Sequence, residues 1–402
     1  MSDATIAPAH VQGRDRRLDL ARGLCLFVIM VDHMRLNNLG FWTFGQFGLS
    51  DAASVFLFVS GYTAAIAFGR TFERAGWPIG SARVLQRVWV LYVAQIAVVL
   101  AVAAIPGMLQ HLFDAHGYVK VLGLDLMFHD PLEAFWGIVS LTYVPGHLDI
   151  LPVYVVLLAT VPAVVALARV DRRLVAIASL AVWLGAWFWH WNLLANPVSG
   201  RGWYFDPFGW QLLFFGAFML GMGWVRLPAP SRALDIAAGV MLAFGVIVRV
   251  ETIWSLTPVL GAMHEWTVAH LDKTHVGPLE TLHFAALAWL ATRLVDLVPG
   301  ILSARAMRPF VICGQQSLPV FLGTIILADL GAVAFDQIGT GPAAQLGVNA
   351  VCFAILFGVG TLTRWIKSAP WKEVRAPVHA ATAVAVARPA VGRRMSRPMS
   401  RF

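Results

Sequence analysis

The chain has 402 residues, of which 58% are hydrophobic and only 13% charged. A soluble domain averages about 25% charged, so this composition excludes an ordinary soluble globule and an intrinsically disordered chain. The formal net charge is +8, yet the basic residues form no patch interleaved with aromatics, so nucleic acid is not expected as a partner.

A membrane-spanning helix needs about 20 mostly apolar residues. Ten such stretches are predicted, at 18–36, 52–69, 84–105, 148–168, 174–191, 210–227, 233–250, 279–297, 309–330 and 346–366. The expected fold is an all-α integral membrane protein with about ten transmembrane helices and both termini cytoplasmic. Residues 1–17 form a cytoplasmic segment, 18–366 the ten-helix domain, and 367–402 a basic cytoplasmic tail whose composition reads as disordered. With the N-terminus inside, 20 basic residues fall in inner segments and three more (Arg226, Arg293 and Arg364) at inner span ends, 23 in all, against 3 in outer segments. That bias follows the positive-inside rule and ties the topology to the lipid bilayer. Residues 131–144 read as an amphipathic helix on the outer interface. Pro152, Pro162 and Pro319 are the expected kinks.

Within the first span, Arg22 and His33 are eleven residues apart, which returns a helix to within roughly 20° of its starting face and about 16 Å further along. One stripe thus carries a guanidinium near the inner surface and an imidazole near the outer, with Asp32 beside the imidazole. Ionisable groups are costly in a bilayer and usually mark function or pairing. The inner segments add Arg70, Arg74, Arg83 and Arg87; Arg35 and Arg249 lie near outer ends. The fourth span opens with His147 and Asp149, followed by Tyr154. The sixth opens in an aromatic cluster ending Trp210-Gln211, which suits either an interfacial belt or a sugar-binding platform. Asp272, Lys273, His275 and His283 crowd the end of the second long outer loop. The eight-residue step from His275 to His283 is not the helical zinc spacing, so no metal is expected. Cys25, Cys313 and Cys352 fall in spans and read as buried free thiols.

Several segments, in order, resemble one family. They are Arg14-Asp15-Arg16-Arg17-Leu18-Asp19-Leu20-Ala21-Arg22-Gly23 running to Asp32-His33, Phe56-Leu57-Phe58-Val59-Ser60-Gly61-Tyr62, Leu148-Asp149-Ile150-Leu151-Pro152-Val153-Tyr154, Phe208-Gly209-Trp210-Gln211, Asp272-Lys273-Thr274-His275 with Leu282-His283-Phe284, and Gly314-Gln315-Gln316-Ser317-Leu318. The chain resembles the OpgC membrane acyltransferases, a branch of the acyltransferase-3 superfamily. The resemblance implies a bacterial inner-membrane enzyme that moves a succinyl group from cytoplasmic succinyl-CoA, an acyl-CoA donor, to hydroxyls of a periplasmic glucan acceptor. It implies His33 as catalytic base. Asp32 lies beside it but about 100° round the helix, so a carboxylate from another helix, such as Asp149, is at least as good a partner to orient the ring. Arg22, Asp19, Arg70, Arg74, Arg83 and Arg87 would then hold the donor. Arg35, His147, Tyr154, Trp210, Gln211, Arg249, Asp272, Lys273, His275 and His283 would line the substrate site. O-acetylation of another surface polysaccharide uses the same scaffold. A secondary transporter is the reading from a different class, against which stands the lack of an internal hydropathy repeat. The sequence is silent on the oligomeric state.

Overall fold

The computed structural model describes residues 15–113 and 117–371. The N-terminal segment through residue 14 and the tail from 372 onward, including the stretch read as disordered, lie outside the described residues. Asp15 accepts the amide of Arg17 and starts helix α1 (Arg16–His33), with Asp19 in the first turn favouring the positive end of the helix dipole. The Asp51 carboxylate accepts the amides of Ala53 and Ser54 at 3.0 and 3.2 Å and starts α2 (Ala52–Ala64). A π-helical turn, Ala65–Gly69, leads into α3 (Arg70–Phe113).

The expected second and third spans are therefore joined in one helical run, Ala52–His111, rather than separated by a loop. The run breaks at Gly76 (φ 79°, ψ 176°), a conformation that only glycine adopts readily. Pro78 then occupies the first turn beyond the break, where its missing N–H is harmless. Trp77 anchors the break by donating its indole N–H to the Pro162 carbonyl at 2.9 Å.

Short helices α4 (Tyr118–Val121) and α5 (Asp125–His129) precede α6 (Pro131–Ser140), which occupies the predicted amphipathic segment and leaves Leu132, Phe135 and Trp136 exposed. Then come α7 (Ile150–Val170), α8 (Arg172–Trp189), and an antiparallel pair of strands, β1 (Leu194–Asn196) and β2 (Arg201–Gly202). They are followed by α9 (Pro207–Gly221), α10 (Arg232–Arg249), α11 (Glu251–Trp254), α12 (Pro258–His270) and α13 (Pro278–Leu297). The last three are α14 (Arg308–Gln315), α15 (Ser317–Ile338) and α16 (Pro342–Ser368). The predicted ninth span is split at Gln316 (φ −107°, ψ 40°), so Pro319 sits in the first turn of α15 instead of kinking a helix. Pro152 likewise opens α7; Pro162 alone of the three lies in a helix interior.

Four of these stretches are long and apolar enough to cross a membrane: Ala52–His111, Ile150–Val170, Ser317–Ile338 and Pro342–Ser368. Among the described residues the fold is all-α apart from the two short strands, and its apolar helices are those of a membrane protein.

Helix α1 is central. It packs against α14, α2 and α15, while α2 packs on α9 and α3 on α7. Two crossings are made by glycine, as small residues allow backbones to approach in membrane bundles. A Cβ on Gly314 would lie 1.8 Å from the Asp19 carbonyl oxygen, and one on Gly61 2.1 Å from that of Phe214. Beyond α1 the chain is pinned to α16 by a reciprocal amide pair. Asn37 Nδ2 donates to Asn349 Oδ1 at 2.9 Å, and Asn349 Nδ2 returns the bond at 3.0 Å.

Gly314→Val is expected to force α14 off α1 and destabilise the protein by about 1–3 kcal/mol, the usual cost of overpacking. Thermal unfolding of the purified protein in detergent reads this directly; an unchanged midpoint would contradict the close crossing.

Candidate active site

The last turn of α1 opens onto a cavity of about 360 Å³ lined by Asp32, His33, Asp51, His147, Asp149, Arg201 and Tyr204, with apolar walls from Ile29, Ile150 and Phe205. The His33 ring is set by its own helix: Nδ1 lies 2.8 Å from the Ile29 carbonyl oxygen. A carbonyl only accepts, so Nδ1 carries the proton and the neutral ring has its lone pair on Nε2. The orienting partner is thus a backbone carbonyl, not the Asp149 carboxylate expected from the sequence. Asp149 lines the same cavity, buried at the start of α7, and Asp32 lines it from α1.

His147 follows Gly146 (φ 55°), where a Cβ would come within 3.0 Å of the Leu122 carbonyl oxygen. Its ring centre is 4.9 Å from that of His33. His147 Nε2 lies 3.3 Å from Oδ1 of Asp329, a carboxylate buried within α15. Three elements distant in sequence therefore bring two imidazoles and a carboxylate together.

The cavity rim is held by a half-buried cation. Lys273 Nζ lies 3.0 Å from Asp51 Oδ2 and 2.6 Å from Oε1 of Glu280, a fully buried carboxylate that also accepts the Ser54 hydroxyl at 3.0 Å. Burial alone would push the Asp51 carboxyl up, but the Lys273 ammonium and the amides of Ala53 and Ser54 outweigh it and hold the group below the usual carboxylate range. Burial opposes the Lys273 ammonium too, yet Asp51 and Glu280 hold it above the usual lysine range.

This arrangement redistributes the expected roles. Lys273 is committed to two carboxylates. Arg35 is paired with Asp336 across to α15. Arg249, whose Nε is buried, does not line the cavity. Arg201 does: its Nη2 donates to the Val144 carbonyl at 2.8 Å, and it is the one Arg or Lys among the described lining residues. Trp210 and Gln211 are core residues instead of a sugar platform. Trp210 is fully buried and donates to the Thr274 carbonyl. The Gln211 amide is consumed by Ser179, accepting its hydroxyl and donating to its carbonyl, both at 2.7 Å. Tyr154 packs beside Phe214. His283 is wedged between Gly48 and Gly245, with Nδ1 2.8 Å from the Ser50 hydroxyl. Asp272 and His275 pair with each other, outside the cavity lining.

On the opposite end of α1, Arg22 donates to the Thr63 hydroxyl of α2 at 2.5 Å, and buried Asp19 accepts from the Gln315 amide at 3.2 Å. Arg70, Arg74 and Arg83 are exposed about the bend between α2 and α3, with Arg87 half-buried beyond it. Arg83 donates to Thr71 and lies 5.9 Å over the Phe68 ring.

Sequence reasoning missed Asp51, Arg201, Tyr204, Glu280 and Asp329. Two carried a signal. Asp51 stands one residue before an apolar run, the N-cap position, and Asp329 is an ionisable residue inside a predicted span.

The family model described as "OpgC protein" matches residues 14–368. No curated protein and no solved structure matches the chain. Nearly the whole described chain lies within the matched range, from the start of α1 to the end of α16. The chain belongs to the OpgC family, and that membership points to an acyltransferase held in a membrane.

Proposed function

We propose that the protein spans the bacterial inner membrane ten times with both termini in the cytoplasm. There it transfers a succinyl group from cytoplasmic succinyl-CoA to hydroxyls of a periplasmic glucan. The observation that carries this reading is the His33 ring, protonated on Nδ1 by its bond to Ile29, in a polar cavity at one end of the helix that bears Arg22 near the other. The 23-to-3 charge bias supports the orientation, with Arg22 and the arginines about the α2–α3 bend on the donor side. Arginine pairs with phosphate in a bidentate fashion, which suits the CoA end of the donor.

In this reaction an acceptor hydroxyl oxygen attacks the thioester carbonyl carbon while His33 Nε2 takes the hydroxyl proton. The tetrahedral intermediate collapses, the C–S bond breaks, and the imidazolium returns the proton to the departing sulfur. His147, backed by Asp329, stands beside His33 and acts as a positioning residue for ring and acceptor. The free carboxylate of the succinyl group meets Arg201. Arg201 replaces Arg35, Arg249 and Lys273 in that role because it alone among these cations lines the cavity.

His33→Ala should lower transfer by roughly 10²- to 10⁴-fold, the usual worth of a general base, with expression and detergent-phase monodispersity retained. Near wild-type transfer in membranes would remove His33 from the chemistry. Asp329→Asn should lower kcat and shift its pH profile while leaving donor affinity in place, as expected of a group acting through His147. Equal losses in kcat and donor affinity would mark Asp329 as purely structural.

Arg201→Gln should reduce succinyl transfer relative to acetyl transfer by roughly 10- to 100-fold, the factor that corresponds to about 1.5–3 kcal/mol for a hydrogen bond to a charged group. A competition assay with both donors on purified protein measures the ratio. An unaltered ratio would free Arg201 of this role and favour O-acetylation on the same scaffold.

A further inference from the structure

The loop between α12 and α13 and the end of α8 together hold a second cluster that plays no part in the chemistry above. His190 caps the C-terminus of α8 in the left-handed conformation (φ 51°) and is exposed. Its ring centre lies 5.0 Å from that of His275. The donor atoms offered by His190, Asp272 and His275 all lie within 4.8 Å of one another. His275 is 7% exposed, and its Nε2 is buried with no hydrogen-bond partner among the described residues. Its Nδ1 sits 2.8 Å from Asp272 Oδ2.

We infer that His275, through Nε2 and with its ring oriented by Asp272, and His190 together bind a divalent transition-metal ion of the zinc type. A buried ring nitrogen without a partner is costly, and a metal ion is the ligand that a deprotonated imidazole nitrogen and a nearby second imidazole fit together. The carboxylate at Nδ1 is the arrangement that orients metal-binding imidazoles and raises their basicity. Two imidazole ligands favour zinc over the oxygen-seeking magnesium and calcium ions. Zinc–ligand bonds of about 2.0–2.1 Å bring donor atoms of a tetrahedral site to about 3.3 Å from one another. The exposed His190 side chain has the freedom to close that gap, and water completes the coordination.

The ion would tie the end of α8 to the loop whose Lys273 pairs with Asp51 at the cavity rim. Its role is to brace that rim; the inference stands whether or not the acyl-transfer reading holds. The site was hidden in the sequence because His190 and His275 lie in different predicted segments, and the only spacing visible was that from His275 to His283.

The test uses the untagged full-length protein in detergent, stripped with a chelator and titrated with zinc chloride. Bound zinc is counted after gel filtration, and thermal unfolding is followed with and without zinc. One tightly bound zinc per chain and a raised unfolding midpoint are expected. His190→Asn keeps a residue that tolerates the left-handed backbone at an exposed position. It should leave the metal-free midpoint unchanged and weaken zinc binding at least about tenfold, as should His275→Gln. Wild-type zinc affinity in His190→Asn, or no more zinc on the wild type than on the His190→Asn/His275→Gln double variant, would overturn the site.

Discussion

The approach of α1 to α14 at Gly23 and Gly314 is the constraint from which the site follows. A Cβ at either position would run into the backbone of the other helix, at 2.0 Å from the Phe310 oxygen or 1.8 Å from the Asp19 oxygen. This contact fixes the depth and rotation of the one helix that carries both Arg22 and His33. It also brings α15 alongside, and with α15 comes Asp329 behind His147. Phe27, one turn along α1, is enclosed by Phe310, Phe353 and Phe357, so the same face is locked by aromatic packing. Rigid placement matters because a base must meet a hydroxyl at hydrogen-bonding distance, and a small misplacement is costly in rate.

The second constraint is electrostatic. Glu280 is fully buried and depends on Lys273 and Ser54. Removing one partner of such a pair typically costs about 3–5 kcal/mol, because the remaining charge is stranded away from water. Lys273 is therefore unavailable to a substrate carboxylate, whatever its apparent suitability as an outer cation. By holding Asp51 as well, it fixes the start of α2 at the cavity wall. Arg201 stands in a different situation. Among the described residues one of its donors is used, by the Val144 carbonyl, and a guanidinium offers five.

Much of this was legible in the sequence, and the reasons are local. Hydropathy is a property of a contiguous window, so the helical, apolar character of the chain was visible there, though four helices rather than ten are long and apolar enough to cross a membrane; the Arg22–His33 stripe needs only the helical period. What stayed hidden is of three kinds. Gly76 and Gln316 break helical runs through backbone conformation, which hydropathy does not encode. Trp210 and Gln211 look like a binding surface at a helix mouth, yet each residue turns the helix about 100°, and only packing against Thr274 and Ser179 decides that both point inward. The pairings of His147 with Asp329, Lys273 with Asp51 and His190 with His275 join distant segments, so each partner reads alone as a lone polar residue.

The proposed transfer runs across a bilayer, with the donor on the side of the α2–α3 arginines and the acceptor on the side of His33. Its most direct test is a sidedness measurement in proteoliposomes of uniform orientation, with radiolabelled succinyl-CoA supplied to one face and periplasmic glucan to the other. The account predicts ester-linked label on the glucan when the donor is on the arginine face and the acceptor on the His33 face, and none when the two are exchanged. Transfer that requires both substrates on the same face, or that ignores the exchange, would contradict it.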